Sequence, residues 1–300
     1  MDLTAKTLIP GTLYIVGTPL GNLEDMTFRA IATLKHADAI AAEDTRHTGK
    51  LLKYFQISTP QISYHDHNRL SRIPEVIDRL QRGQAIALVS DAGMPGISDP
   101  GYELVRACRE ASIPVVPIPG ASAAVTALSV SGLPTDRFVF EGFLPAKGRE
   151  RRDRLEALKA ETRTLIFYEA PHRVVQTLTD LAHEWGGDRA IVIAREITKL
   201  HEEFWTGSLD DALSVYQTKK PMGEYTLVVA GAQLTQIDLT DEALRKELKH
   251  LLSQGMSRSQ ASRELATRAE LPRRRLYQLA LTIADQEFLS DDALTALDDD

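Results

Sequence analysis

Short apolar runs alternate with amphipathic helical patterns through about the first 130 residues, and this alternation restricts the fold more than any other feature. The run Ala85–Val89 has the length and β-branched content of a buried strand. The predicted strands are Thr12–Val16, Ala37–Ala42, Gln61–Tyr64, Ala85–Val89 and Val115–Ile118, and the predicted helices include Met26–His36, Pro74–Gln81 and Tyr102–Glu110. Strands that alternate with helices in this way predict βαβ units and a mostly parallel sheet.

The longest of the predicted connections is Ser90–Gly101, which contains three glycines, two prolines and two aspartates. A connection in a βαβ unit needs only about two to six residues. We interpret this stretch as a binding loop rather than a capped surface turn, because proline stiffens it and glycine lets a ligand approach the backbone. Asp99 and Pro100 are predicted to be the N-cap and the first residue of the following helix.

Polar or glycine-rich clusters follow the carboxyl end of every predicted strand in this region. In an open parallel sheet that edge binds ligands, since strand ends and helix N-termini meet there. The sequence therefore predicts one binding edge formed by Gly17–Asn22, Glu43–Arg46, His65–Asn68, Ser90–Gly101 and Pro119–Ala123.

After Gly132 the pattern starts again and predicts a second α/β domain. Its expected strands are Arg137–Phe140, Thr164–Tyr168, Ala190–Ala194, Glu203–Trp205 and Tyr225–Val229, with helices Arg149–Ala160, Val174–Glu184 and Leu209–Gln217. A polar linker, 233–240, precedes three helical patterns, Asp241–Ser253, Arg258–Arg268 and Pro272–Asp285, which resemble a helix-turn-helix module. The predicted organisation is 1–132, 133–232, 241–290 and an acidic tail, 291–300, which we expect to be solvated and disordered.

Composition excludes several classes of protein. The single cysteine, Cys108, rules out a disulfide framework and a cysteine-rich zinc site. No apolar run approaches the roughly 20 residues of a membrane span and no signal peptide is visible, so we expect a soluble, cytoplasmic protein. The net charge of −7 gives no overall nucleic-acid signature.

Several familiar motifs are missing. The Gly17–Gly21 stretch is neither a dinucleotide-binding fingerprint nor a P-loop, and no serine-hydrolase elbow occurs. His65 and His67 have no third ligand at convincing spacing, which favours a surface or substrate-contacting pair over a zinc site.

Eight motifs, in the same order from about residue 11 to 232, closely resemble the bacterial ribosomal RNA small subunit methyltransferase I family of the tetrapyrrole methylase superfamily. The sequence departs from the family pattern at Met94, Gly96 and Ala170, none of which removes a charged group. The motifs are Val16–Leu23, Ala42–Arg46, Tyr64–Asn68, Ser90–Pro95, Ser98–Gly101, Pro119–Ala123, Gly142–Pro145 and Tyr168–Arg173.

The resemblance implies two α/β domains with S-adenosylmethionine in the cleft between them, and a homodimer. It also implies methyl transfer to the ribose 2′-hydroxyl of a decoding-site cytidine in 16S rRNA. A zwitterionic amino acid, a ribose and an adenine require backbone donors, a carboxylate and an apolar slot. The expected cofactor-binding residues are Gly17, Pro19, Asp91, Ala92, Gly93, Ser98, Pro119, Gly120, Ser122, Ala123, Tyr168, Glu224, Tyr225 and Thr226.

A ribose hydroxyl is a weak nucleophile at neutral pH, so a general base should help the reaction. The sequence does not rank the candidates, which are Glu43, Asp44, His65, His67 and Glu169. For two of them there is a structural alternative: Asp44 as the cap of the next helix, and Glu169 as an ion-pair partner of Arg173. The reaction needs no metal, and none is expected.

Basic residues concentrate in Lys147–Arg154 and at Arg273–Arg275. Ordinary solvated helix faces are the alternative interpretation, but with an RNA substrate these residues are predicted to contact phosphates. The predicted RNA-binding residues are Lys147, Arg149, Arg151, Arg152, Arg273 and Arg274, with Leu155 and Leu158 anchoring the helix.

Two other functions remain open at this point. One is a tetrapyrrole C-methylase with the same fold and cofactor, which the basic stretch and the histidine motif disfavour. The other is a non-enzymatic DNA-binding regulator that uses 256–285, which the charged groups at the sheet edge disfavour.

Overall fold

The computed structural model describes residues 8–233, 240–269 and 271–283. The contacts divide the chain into two compact units, one ending at Ala232 and the other starting at Gln233. Most of the predicted linker and the whole predicted acidic tail lie outside the described residues.

The first unit begins with a five-stranded sheet in which every strand pair is parallel, in the order β3-β2-β4-β1-β5. This confirms the predicted parallel sheet. The strands are β1 Leu13–Val16, β2 Ala39–Ala42, β3 Gln61–Ser63, β4 Ile86–Val89 and β5 Val115–Ile118. The helices are α1 Phe28–His36, α2 Thr45–Tyr54, α3 Arg69–Gln81, α4 Tyr102–Glu110 and α5 Ala123–Val130, and a 3₁₀ turn, Leu23–Asp25, precedes α1.

Strands β1, β2 and β4 are buried on both faces, which explains why they read as continuous apolar runs. Alternate residues of β4 serve opposite cores. Ala87 and Val89 belong to the cluster that includes Ala30 and Leu34 of α1. Ile86 and Leu88 belong to the cluster on the other face. The sheet is therefore covered by helices on both sides.

The predicted start of α3 and the predicted N-cap of α4 are wrong. Helix α3 begins at Arg69, five residues before Pro74, which lies inside the helix. The Asn68 side chain accepts a 2.8 Å hydrogen bond from the His65 amide and so fixes the turn that starts α3. Helix α4 begins at the predicted Tyr102, but Gly101 is its N-cap, so Asp99 does not cap it and Pro100 is not helical.

The remainder of the first unit contains a mixed sheet in the order β6-β7-β10-β8-β9, of which only β6 and β7 are parallel. The strands are β6 Phe138–Phe143, β7 Thr164–Glu169, β8 Ala190–Arg195, β9 Glu203–Ser208 and β10 Tyr225–Val229. The helices are α6 Gly148–Lys159, α7 Val174–Trp185 and α8 Leu209–Thr218. The expectation of a second α/β layer is confirmed.

Strand β6 is longer than predicted. It was expected to end at Phe140, but it continues to Phe143 through an irregularity in register between Phe140 and Gly142. Gly142 has a φ of +62°, which an L side chain rarely adopts. The Gly142–Pro145 motif therefore begins in a strand rather than in a loop.

Helix α5 connects the two sheets. Although it follows β5 of the first sheet, its buried residues Ala124, Ala127 and Leu128 pack against Ile166 of β7 and Val228 of β10. The carboxyl edge of the first sheet and the second sheet therefore share one apolar layer.

The second unit contains the three helices predicted from the sequence, α9 Asp241–Ser253, α10 Arg258–Ala269 and α11 Arg273–Leu281. Leu244, Leu265 and Leu276 contribute one residue from each helix to a common core. The Arg258 guanidinium donates hydrogen bonds to the carbonyls of Ala280 and Ile283 and so caps the end of α11. Within the part of the chain that the structure describes, no helix is long and apolar enough to cross a bilayer.

Candidate functional site

A cavity of about 370 Å³ lies at the carboxyl edge of the first sheet and is closed by residues of the second sheet. Its volume falls in the range of small-molecule and cofactor sites. The part of the chain before β6 contributes Leu20, Glu43, Asp91, Ala92, Gly93, Met94, Ile97, Ser98, Asp99, Ser122 and Ala123 to its lining, and the part from β6 onward contributes Phe143, Tyr168, Glu169, Ala170, Pro171, Glu224, Tyr225 and Thr226.

Three loops of the first sheet, those after β1, β4 and β5, are held together next to the cavity. Thr18 and Gly93 exchange backbone hydrogen bonds of 2.9 and 3.0 Å, and the Thr18 hydroxyl donates to the carbonyl of Ser90 at 3.1 Å. A Cβ added to Gly17 would lie 2.6 Å from the Cα of Gly120, closer than real atoms approach. Glycine at both positions allows the loops after β1 and β5 to touch.

Three carboxylates, Glu43, Asp91 and Asp99, meet on one side of the cavity. The Asp91 amide donates to Glu43 at 3.3 Å, and the Asp44 amide donates to the Asp91 carboxylate at 3.1 Å. Burial, reinforced by the negative charge of Asp99, raises the pKa of Glu43 to about 7. Burial also raises the pKa of Asp99 to about 6, although a hydrogen bond from Ser90 opposes the shift. Glu43 therefore changes charge near neutral pH.

Tyr168 and Glu224 also line the cavity. The Tyr168 hydroxyl accepts a 3.2 Å hydrogen bond from the Ala124 amide, and its ring makes an edge contact with Phe140. The Glu224 carboxylate is paired with Lys199 at 2.9 Å. The Tyr168 side chain is therefore held by contacts at both its ring and its hydroxyl, whereas the Glu224 carboxylate is 76% exposed.

Comparisons with known proteins fit this geometry. The model of the tetrapyrrole (corrin/porphyrin) methylases matches residues 12–213. A protein of Synechocystis sp., named ribosomal RNA small subunit methyltransferase I, is 59% identical over 91% of this chain and 98% of its own length. Its namesake in Halalkalibacterium halodurans is 49% identical over 90% of this chain and 94% of its own length. The chain belongs to this methyltransferase family.

The fold agrees with that assignment. Diphthine synthase superposes with a TM-score of 0.58 at 15% identity and covers 73% of this chain and 90% of its own. A uroporphyrin-III C-methyltransferase from Thermus thermophilus, solved with S-adenyl homocysteine, has a TM-score of 0.52 at 17% identity over 72% and 96% of the two chains. Membership of the methyltransferase family confirms S-adenosylmethionine as the expected cofactor.

Most of the residues expected to bind the cofactor line the cavity: Asp91, Ala92, Gly93, Ser98, Ser122, Ala123, Tyr168, Glu224, Tyr225 and Thr226. Gly17, Pro19, Pro119 and Gly120 are not among the lining residues. For Gly17 and Gly120 the close approach of the two loops accounts for the glycine, so their contribution to the site is indirect.

Sequence reasoning missed some lining residues, above all Asp99 and Phe143. Asp99 was interpreted as a helix cap, although its place in the same loop as Asp91 was a usable signal. Phe143 belongs to a family motif, but the expected loop gave no reason to place its ring at the cavity.

Two of the candidate bases are structural carboxylates in the methyltransferase. Asp44 accepts hydrogen bonds from the amides of Arg46 and His47 as the cap of α2, and its hydrogen bonds with Arg46 lower its pKa below the usual range. Glu169 is 2% exposed, pairs with Arg173 at 3.2 Å and accepts a 2.6 Å hydrogen bond from Thr177. For both residues the contact named in the structural alternative is present, and Glu169 also lines the cavity.

The candidate bases His65 and His67 do not line the cavity. Their rings contact each other edge to face, with centroids 5.9 Å apart, and the buried Nδ1 of His65 has no hydrogen-bond partner among the described residues. No group of three metal-ligating side chains occurs in the described part of the chain. The structure gives neither histidine a contact with the candidate site.

One predicted RNA contact is wrong. Arg151 has a side chain that is only 7% exposed; it pairs with Asp180 at 2.7 Å and donates to the Thr177 hydroxyl at 2.9 Å. Its guanidinium is therefore engaged within the protein rather than presented to solvent. Leu155 and Leu158 are buried as expected. The other predicted contacts are exposed: Lys147, Arg149, Arg152, Arg273 and Arg274.

Proposed function

We propose that this methyltransferase modifies the ribose 2′-hydroxyl of a cytidine in the decoding region of 16S rRNA. The observation that carries the proposal is Glu43, a half-buried carboxylate at the wall of the cofactor cavity. A hydroxyl nucleophile needs such a carboxylate to accept its proton. A tetrapyrrole carbon needs it less, because the tetrapyrrole itself makes that carbon acidic. The names of the relatives, which refer to the RNA of the small ribosomal subunit, support the choice of substrate.

The cavity suits S-adenosylmethionine in volume and in chemistry. Asp91 and Asp99 would balance the positive charges of the amino acid and the sulfonium, and Asp99 would ionise more readily beside them. Leu20, Ile97 and Ala123 provide apolar surface for the adenine. The backbone amide of Ala92, which lines the cavity beside the Thr18–Gly93 bridge, would donate a hydrogen bond to a polar atom of the cofactor.

When bound, the cofactor supplies a methyl group already activated on a sulfonium sulfur. The protein then has two tasks. Its fixed loops would hold the hydroxyl group in position for the transfer, which can lower the barrier by roughly 7–11 kcal/mol. Glu43 would accept the hydroxyl proton, a contribution of about 10²–10⁴ in rate. The Asp91 amide holds Glu43 in place for this role.

The RNA would be held by cations outside the cavity. Lys147, Arg149 and Arg152 are exposed at the start of α6, in the segment that directly follows Phe143 of the cavity wall. Arg273 and Arg274 are exposed on α11 of the second unit, which we propose to be an additional RNA-binding module. Such contacts orient an RNA without reading its sequence.

We propose in addition that the enzyme acts in the cytoplasm, and that it is a homodimer, as the family resemblance implies. The dimer can be tested by light scattering of the purified protein across a range of concentrations. A constant monomer mass at micromolar concentration would contradict it.

The decisive experiment is a map of ribose methylation in 16S rRNA from cells with the gene, without it, and with Glu43→Gln in its place. We expect one cytidine of the decoding region to lose its methyl group in the second and third samples. An unchanged map would refute the proposal. Methyl transfer to a porphyrinoid instead of small subunits would favour the C-methylase, and tight duplex-DNA binding without any methyl transfer would favour a regulator.

A further inference from the structure

The ring of Phe143 lies between two concave surfaces. It contributes to the lining of the cofactor cavity and also to a neighbouring surface depression of about 690 Å³. The depression is lined by Glu141, Phe143, Leu144, Pro145, Arg149, Glu150, Asp153, Arg154 and Ala157. Phe143 is 49% exposed although its side chain lines the cavity.

The backbone geometry around Gly142 determines the direction of the Phe143 ring. The register between β6 and β7 shifts between Phe140 and Gly142, so that Phe143 pairs with Tyr168. Gly142 has positive φ, and a Cβ there would meet the Ser98 hydroxyl at 3.0 Å. The strand is therefore pressed against the long loop of the first sheet, and Phe143 is placed at the rim of the cavity.

The ring is also supported from behind. Its centroid lies 5.9 Å from that of Tyr168 in an edge contact. The segment after it is fixed by two arginines, since Arg151 donates to the Pro145 carbonyl at 3.0 Å and Arg173 donates to the Leu144 carbonyl. An exposed aromatic ring with this support keeps its orientation, so a planar ligand can stack on it with little loss of entropy.

The two arginines that line the depression do not make it a positively charged site. Arg154 donates to Glu141 at 2.7 Å, and Arg149 pairs with Asp153 at 3.3 Å, so its own carboxylates balance both arginines. What the depression offers beyond an ordinary polar surface is the aromatic face. Stacking of a base on such a face is a principal means by which proteins hold unpaired nucleotides.

We propose that Phe143 is the stacking platform for the nucleobase of the nucleotide that is methylated. This inference rests on the proposed function. The reacting ribose has to reach into the cavity, and its base is joined directly to it, so the base comes to lie at the rim where Phe143 stands. The target nucleotide is therefore turned out of its RNA stack, and Phe143 is a positioning residue for it.

The test compares Phe143→Ala and Phe143→Trp with Phe138→Ala. Phe138 is the matched control because it lies on the same strand and is similarly exposed, at 41%, but lines neither surface. We expect Phe143→Ala to lower kcat/KM for small subunits by about 10- to 100-fold, with the affinity for S-adenosylmethionine within about twofold of wild type. Phe143→Trp should restore activity, and Phe138→Ala should leave it unchanged.

A second readout does not depend on catalysis. The added indole of Phe143→Trp should lose fluorescence, relative to wild-type protein, when a short cytidine-containing RNA is titrated in. Loss of cofactor affinity alone in Phe143→Ala, or kcat/KM for subunits within about twofold of wild type, would overturn the stacking proposal. If wild-type protein methylates no RNA, the proposed function fails, and the fluorescence titration still decides whether a base stacks on this residue.

Discussion

Glu43 accepts a hydrogen bond from the backbone amide of Asp91, and the Asp91 side chain in turn accepts one from the amide of Asp44. Strands β2 and β4, which carry these residues at their carboxyl ends, are neighbours in the sheet. Each loop therefore fixes a carboxylate of the other. The position of Glu43, the proposed general base, therefore depends on the loop of Asp91, which lines the cofactor cavity.

The first prediction concerns pH. Because the pKa of Glu43 is raised to about 7, the group is protonated and inactive as a base below that pH. We expect kcat/KM to rise through a midpoint near neutrality, and Glu43→Gln to lower kcat by about 10²–10⁴-fold and abolish this limb. A rate profile over about pH 5.5–8.5 is the measurement, and a variant that retains the wild-type limb would contradict the role of Glu43.

The same shift has a consequence for stability. A carboxyl group whose pKa is raised in the folded state favours folding at low pH, and this contribution is lost as the pH rises from about 4.5 to about 7. Glutamine cannot ionise, so the Glu43→Gln variant does not lose this stability as the pH rises. The Tm of Glu43→Gln relative to wild type should therefore increase between about pH 5 and pH 8. A constant difference would mean that the carboxyl group is not desolvated.

The second prediction is that Asp91→Ala sharply reduces the affinity for S-adenosylmethionine, because it removes both a carboxylate at the cavity and the acceptor for the Asp44 amide. Asp91→Asn keeps an acceptor oxygen and separates the loss of charge from the loss of loop structure. Calorimetric titration measures both, with Asp78→Ala on the outer face of α3 as control. Affinity for Asp91→Ala within about twofold of wild type would show that the loop does not contact the cofactor.

The third prediction contrasts two adjacent arginines. Arg151→Ala leaves Asp180 without its buried partner and should lower the free energy of unfolding by roughly 3 kcal/mol. Arg152→Ala, on the exposed side of the same helix, should change it by no more than about 0.5 kcal/mol. Urea denaturation measures both values. Equal effects would indicate that the Arg151 ion pair adds nothing to the fold.

The fourth prediction concerns RNA affinity. Arg149→Ala/Arg152→Ala should weaken binding to small subunits and flatten its salt dependence by up to about two units of log–log slope. Arg149 is paired with Asp153, but an exposed pair of this kind is weak enough for a phosphate to replace it. The double variant Arg106→Ala/Arg109→Ala removes the same charge from α4 and serves as control. If both double variants give the same slope, α6 is a solvated face.

Much of the fold follows from local pattern. The burial of β4 on both faces and the length of α4 are written in consecutive residues, so their bounds agree with the sequence-based expectation almost to the residue. The convergence of polar loops at one sheet edge is equally local, since strand ends in a parallel sheet must meet there. That explains why Asp91 and Glu43 were both expected at the site.

The prediction errors at Arg151 and in β6 lie where residues distant in the chain determine the structure. Arg151 looks like any surface arginine of a basic helix, and only Asp180, 29 residues later, and Thr177 show that it is buried. Likewise, the register shift in β6 depends on the contact between Gly142 and Ser98, more than 40 residues apart in the chain. Neither relationship leaves a local signal in the sequence.

The network of Glu169, Arg173, Thr177, Arg151 and Asp180 restricts how this enzyme can be recombined with its relatives. The carboxylates and guanidinium groups belong to different elements, with Arg151 on α6 and its partners Thr177 and Asp180 on α7. If a chimera takes α6 from a relative without Arg151 but keeps α7, Asp180 loses its ion-pair partner. A crossover point placed between α6 and α7 would therefore separate Arg151 from both of its partners on α7.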